Sequence, residues 1–223
     1  MSNRATLYNY AQGDQHQGQP VANIFQRIHD SNEWNVITTE SVSGEGSTME
    51  QTEVLRAELP GLLKKLGVRT LLDLPCGDFN WMQHVDLTGI RYLGGDIVAA
   101  LVERNNAQFG NENRQFLHLN LLTDPLPSYD LIFCRDCFVH LSFADVQAAL
   151  ANIRRSGITY LVTTHFHDEP ENNDIPTGGW RPLNLFKAPF HFPEPVAEIN
   201  EQCSEMDGAF EDKCAVVWRV SDI

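Results

Sequence analysis

Apolar positions along this chain change their period twice. Between Thr48 and Leu66, the residues Val54, Leu55, Leu59, Leu62, Leu63 and Leu66 recur three or four apart. That spacing gathers side chains on one face of a helix, here with Pro60 as an interruption. Beyond it, short apolar runs of strand length alternate with amphipathic stretches. Residues 68–74, 90–96, 115–119, 129–135 and 159–164 predict five strands. Helices are predicted to start at 81–85 and to span 99–109 and 143–155. Near-continuous apolar runs suit strands buried on both faces, and regular strand–helix alternation predicts a doubly wound α/β sheet.

Both ends break this rhythm. Residues 1–50 are mostly polar, with a first helix expected near Val21–Ile28 and a Ser/Gly-rich loop at Ser41–Ser47. They are read as an N-terminal helical segment and possible lid, with residues 51–223 as one domain. After His165 the chain becomes rich in Pro, Gly, Asn and aromatics, too irregular for another βα unit. Two closing strands are expected at 196–203 and 213–220, and Glu211-Asp212-Lys213 reads as a turn with solvated charges.

Composition then narrows the function. The 223 residues carry a formal net charge of -14, with only 16 Lys and Arg. Binding to nucleic acid depends on cations that neutralise phosphates, so such a substrate is disfavoured. No run approaches the roughly 20 apolar residues of a membrane span, and the polar start lacks a signal core, so a cytoplasmic protein is expected. The five cysteines include Cys134-Arg135-Asp136-Cys137, a CxxC spacing without the surroundings of a redox or zinc unit. They are expected as small, mostly buried thiols, and no metal site is assigned.

The chemistry concentrates at two strand ends. The first ends Asp73-Leu74-Pro75-Cys76-Gly77-Asp78-Phe79 and the second Gly94-Gly95-Asp96, placing Asp73 and Asp96 23 residues apart. This is the separation at which a carboxylate beyond a second strand reaches ribose hydroxyls. Either Asp alone would equally suit a helix cap or turn. A dinucleotide turn needs GxGxxG so that bare backbone can meet a pyrophosphate, whereas Pro75 and Phe79 block that approach and Asp78 repels phosphate. S-adenosylmethionine has no phosphate and carries a sulfonium and an ammonium, which acidic groups favour.

These residues resemble the class I S-adenosylmethionine-dependent methyltransferase superfamily over about residues 65–165, with Asp73-Leu74-Pro75-Cys76-Gly77-Asp78 in place of its glycine-rich turn. The resemblance implies a Rossmann-like methyltransferase fold, a mostly parallel seven-stranded sheet of order 3-2-1-4-5-7-6. It implies that Asp73, Pro75, Cys76, Gly77 and Asp78 hold the methionine moiety and that Asp96, with Ile97 beside it, takes the ribose. Asn120 and Leu121 would flank the adenine, Asn120 standing where the family often has Asp. Arg135 or Asp136 would meet the methionine portion and the substrate. Trp81 would either pack a helix on the sheet or cover the cofactor.

Methyl transfer from a sulfonium needs positioning, and a base where the nucleophile must lose a proton. Candidate bases are Asp136 and His140, four apart and so on one face if helical, and His165. His167, Trp180, Arg181 and Asn184, together with Trp34, offer the apolar wall, cation and amide that suit a small polar molecule or glycan. Two other readings remain: a non-catalytic cofactor-binding protein and a Rossmann-type dehydrogenase, the latter opposed by the acidic turn.

Overall fold

The computed structural model describes His16, residues 18–34 and residues 40–223; the N-terminal segment before His16 lies outside these residues. Strands β1 (Thr70–Asp73), β2 (Arg91–Asp96), β3 (Arg114–His118), β4 (Leu131–Cys134), β5 (Tyr160–Phe166), β6 (Ala197–Asn200) and β7 (Lys213–Arg219) form one sheet. Its order is β3-β2-β1-β4-β5-β7-β6. The first five strands are parallel, and β7 runs antiparallel to both β5 and β6. All seven expected strands are present, in the expected order.

The helices are α1 (Val21–Ser31), α2 (Glu53–Leu66), α3 (Ala99–Phe109), α4 (Phe143–Arg155) and a kinked turn, α5 (Glu205–Gly208). Helix α2 buries Leu55, Leu59, Leu62 and Leu63 and ends at Gly67, whose φ of 71° makes the left-handed cap. Pro60 does not interrupt it. The lost hydrogen bond and ring clash cost about 3 kcal/mol, and the buried leucines on either side of Pro60 offset that cost. Ser142 caps α4 by accepting from the Asp145 backbone N–H. The expected helix at 81–85 is only a 3-10 turn, Met82–His84.

Two cores sandwich the sheet, one packed by α4 and the segment after β5, the other by α2 and α3. Among the described residues, no helix is long and apolar enough to cross a membrane. The parallel strands all end on one edge, where the site is built.

Candidate active site

Strand β1 delivers Asp73 to this edge, 4% exposed, with its carboxylate accepting a hydrogen bond from the Tyr92 hydroxyl. Burial pushes its pKa up to about 7, against the lowering effect of Tyr92. The turn that follows is shaped by contact as well as by conformation. Gly77 has a φ of 54°, and a Cβ there would lie 2.3 Å from Ser43 Oγ. Its N–H donates to Asp96 Oδ2 at 3.0 Å, while the Val98 N–H donates to Asp96 Oδ1 at 2.9 Å. Asp96 is 5% exposed; burial raises its pKa, and these two donors oppose the rise. Each of its oxygens keeps a second lone pair for a ligand hydroxyl.

Around these carboxylates lies a partly open cavity. Its wall includes Pro75, Cys76, Gly77, Asp78 and Trp81 after β1, and Asp96, Ile97 and Val98 after β2. Leu119 to Leu122 close it after β3, and Arg135, Asp136 and His140 after β4. Asn120 lies here, its side-chain oxygen already accepting from the Leu122 N–H at 2.9 Å. Trp81 packs into the core, its ring tilted on Phe133, lies 5.6 Å beneath the Arg135 guanidinium and also lines the cavity.

Asp78 has a different role from the one its charge suggested. Its Oδ2 accepts from the Ser41 hydroxyl at 2.8 Å and the Val42 N–H at 2.9 Å, while its own N–H donates to Ser43 Oγ at 3.0 Å. Asn80 adds a bond from Nδ2 to the Ser47 carbonyl at 3.0 Å. The Ser41–Ser47 loop is thereby strapped across the mouth of the cavity.

Beyond β4 the charges form a network. Arg135 donates through Nε and Nη2 to the buried Glu201 and lies 3.0 Å from Asp136 through Nη1. Lys213 Nζ reaches Asp136 Oδ2 at 2.8 Å and Glu205 at 3.8 Å. Burial alone would raise the Asp136 pKa, but the two cations hold it far below the usual carboxylate range. Lys213, expected as a solvated turn residue, is 4% exposed and spans the gap between Asp136 and Glu205.

Asp136 and His140 do not share a helix. Asp136 has a φ of 48° and His140 ends a 3-10 turn, Phe138–His140. They nonetheless meet at the same place, because both line the first cavity and a second one beside it. The His140 Nδ1 lies 2.8 Å from the Gly179 carbonyl, so Nδ1 carries the proton and Nε2 the lone pair. Burial lowers its pKa to about 4, so the ring is neutral. Trp34 stacks on it with ring centroids 4.6 Å apart. Besides Trp34, Ser43, Asp136 and His140, the second cavity is lined by Glu45, Phe166, Trp180, Glu205, Phe210 and Lys213.

The remaining expected residues line neither cavity. His165 Nδ1 accepts from the Leu185 N–H at 3.1 Å, and the ring packs against Phe186 and Trp218. His167 pairs with Glu198 at 3.1 Å. Strand parity explains both: neighbours on β5 face opposite sides, and Phe166 takes the cavity side. Arg181 is 1% exposed and donates to the carbonyls of Phe138, Leu141 and Asn173, which fixes the turn carrying His140. Asn184, also buried, ties His167, Glu169 and Phe186 together through backbone bonds. Glu45, Glu201, Glu205 and Phe210 escaped the sequence reading. Their one local signal was the Ser/Gly loop that carries Glu45, and the other three come from the connection between β6 and β7.

Comparison with known proteins gives the same picture. Residues 72–156 match a family model described as "Methyltransferase domain". No curated protein matches the chain by sequence. Among solved structures, it is similar to the N-methyltransferase NodS from Bradyrhizobium japonicum WM9 in complex with S-adenosylhomocysteine. That likeness is at 14% identity and a TM-score of 0.63, covering 86% of this chain and 97% of that one. Burkholderia thailandensis 1,6-didemethyltoxoflavin-N1-methyltransferase, bound to 1,6-didemethyltoxoflavin and S-adenosylhomocysteine, is 17% identical with a TM-score of 0.57 over 89% and 86%. Human N-acetylserotonin methyltransferase, in complex with S-adenosylmethionine, is 14% identical with a TM-score of 0.60 over 91% and 60%. The matched family model covers residues 72–156, and the similar structures share the fold of this chain.

Proposed function

We propose that this chain transfers the methyl group of S-adenosylmethionine to a small molecule seated in the second cavity, with His140 as the base. The reading rests on one observation: the acidic cofactor cavity and the aromatic cavity share Trp34, Ser43, Asp136 and His140. A donor in one and an acceptor in the other meet at those four residues.

The residues fit the cofactor. Asp73 and Asp96 are buried carboxylates whose ionisation burial opposes, so a cationic ammonium and ribose hydroxyls are the partners that relieve them. Asp73 faces the methionine end and Asp96 the ribose. Ile97, Asn120 and Leu121 border the adenine. A dinucleotide fits poorly: Arg135 is the single Lys or Arg on the wall, and Asp136 and Glu201 already hold it.

Bound S-adenosylmethionine supplies an activated methyl on a sulfonium, and its thioether leaves without protonation. The protein aligns the acceptor and removes its proton. His140 suits that task because the Gly179 carbonyl holds Nδ1–H and leaves Nε2 unprotonated at neutral pH. Asp136 is a weaker candidate, since Arg135 and Lys213 lower its basicity. Two of the similar structures have small molecules in their names, didemethyltoxoflavin and N-acetylserotonin, which agrees with a small acceptor here.

The test is methyl-labelled S-adenosylmethionine incubated with a panel of hydroxylated and aminated small molecules and sugars. Label on a small molecule, lost in His140→Gln while S-adenosylhomocysteine still binds, is the expected result. Transfer that is undiminished in His140→Gln removes the base assignment, and failure to bind S-adenosylhomocysteine removes the whole reading.

A further inference from the structure

The second cavity carries more negative charge than the protein itself balances, and the excess lies away from the cofactor. Three carboxylates line it, Asp136, Glu205 and Glu45, and a fourth, the buried Glu201, stands behind them on Arg135. Arg135 and Lys213 are the cations, and their short contacts at 3.0 Å or less go to Asp136 and Glu201. Two cations against four carboxylates leaves Glu45 and Glu205 in surplus. Glu205 lies 3.8 Å from a Lys213 already engaged at 2.8 Å by Asp136. Among the described residues, Glu45 has no ion-pair partner. Burial raises its pKa, and repulsion from Glu205 and Glu50 adds to the rise, as expected for a carboxylate facing like charge.

The position of this surplus is as telling as its sign. Glu45 and Glu205 line the second cavity only, whereas Asp136 and His140 line both. Aromatic rings occupy the wall beside them. Trp180 stands edge-on to Phe210 at 5.3 Å and to Phe166 at 6.2 Å, and Trp34 covers His140. Aromatic rings next to carboxylates in excess of their cations form the environment that takes an organic ammonium, through charge at one side and cation–π attraction at the other. An anionic acceptor would meet Glu45 and Glu205 directly and be repelled.

We infer that the acceptor is a small cationic molecule, its ammonium held at Glu45 and Glu205 among the aromatic rings and its methylated atom at His140. This rests on the proposed methyltransferase reading and names the substrate class of its second cavity. The arrangement also separates two positive charges. The ammonium sits at the far wall, while the atom that attacks the sulfonium sits at the junction, where Nε2 of His140 takes its proton.

The experiment uses the full-length protein saturated with S-adenosylhomocysteine and three probes of one shape: benzylamine, benzyl alcohol and benzoate, at neutral pH. Binding is read from tryptophan fluorescence and by calorimetry. Benzylamine is expected to bind about tenfold more tightly than benzyl alcohol, with benzoate weakest, and raised salt should shrink the preference. In Glu45→Gln/Glu205→Gln, benzylamine should fall to the level of benzyl alcohol while the alcohol is unaffected. Thermal melting of that variant checks that it folds, and Glu45→Gln alone, at a half-buried loop position, should lose part of the preference. Equal binding of the three probes, a preference for benzoate, no binding of benzylamine, or a preference that survives in the double variant would each overturn the inference. Failure to bind S-adenosylhomocysteine at the outset would instead strike the methyltransferase reading.

Discussion

The two cavities of this protein are built from opposite kinds of sequence information. The first cavity comes from the ends of strands β1 to β4, and its main polar groups are single carboxylates, Asp73 held by the Tyr92 hydroxyl and Asp96 by the Gly77 and Val98 N–H groups. The acceptor cavity joins a loop at residues 43–46, the end of β4, a strand neighbour and the kinked turn α5. Its polar groups are an ion network with members 66 and 77 positions apart. The first is a local device repeated by the fold, and the second is assembled only when the closing antiparallel strands dock. Damage to the first should therefore cost ligand, and damage to the second should cost stability as well.

Removing Arg135 breaks that contrast most severely. Arg135→Met leaves Glu201, whose side chain is 1% exposed, with only a distant Lys213 at 3.7 Å. A loss of about 3–5 kcal/mol in denaturant unfolding is expected, because an uncompensated buried charge remains. A loss within about 0.5 kcal/mol would mean that the network is not a structural unit.

His140→Gln sits on the boundary. It should lower kcat about 100-fold, within the range of general-base contributions, and leave cofactor affinity within about twofold. The pH profile sharpens this assignment. With the folded pKa at about 4, His140 stays a competent base through neutral pH, so kcat should fall only as pH drops through that value. A fall near the ordinary imidazole value would point to a different group.

Asp78→Ala should act more mildly. It removes the acceptor for Ser41 and Val42 and so loosens the loop over the cofactor. Affinity for S-adenosylhomocysteine is expected to weaken about tenfold, with faster hydrogen exchange confined to residues 41–47.

The smallest effect concerns a proton. Burial raises the Asp73 pKa to about 7 in the folded chain, against the ordinary carboxylate value of 3.8 when unfolded. Its folded pKa is raised, so the folded state binds more protons between those values. Its stabilising contribution is therefore complete below the lower value and is lost as pH rises through about 7. A ligand ammonium beside Asp73 favours the ionised form, so S-adenosylhomocysteine binding should release up to about one proton just below neutrality. Calorimetry in buffers of different ionisation enthalpy reads that number, and a value of zero would put the ammonium elsewhere.

How much was legible in the sequence follows the same division. Asp73, Gly77, Asp96, Asn120 and Arg135 were legible because each sits at a strand end, and strand ends converge on one edge in this fold. His165 and His167 were read as following a strand that ended at residue 164, whereas β5 continues to Phe166, and that alternation turns Phe166 to the cavity and His165 to the other face. Arg181 and Asn184 have the composition of substrate contacts, but both are buried brackets for backbone carbonyls and amides, which only tertiary packing decides. Lys213 read as solvent-exposed because its partners Asp136 and Glu205 are brought to it by the docking of β7.

The most direct test of the central claim is calorimetric titration of S-adenosylhomocysteine into the wild type and Asp96→Ala. The wild type should bind with one-to-one stoichiometry. The variant, which loses the carboxylate that we assign to the ribose and that orders the Gly77 turn, should bind about 100-fold more weakly while its melting point stays close to that of the wild type. Equal affinities in the two proteins, or no binding to the wild type, would contradict the assignment of this cavity.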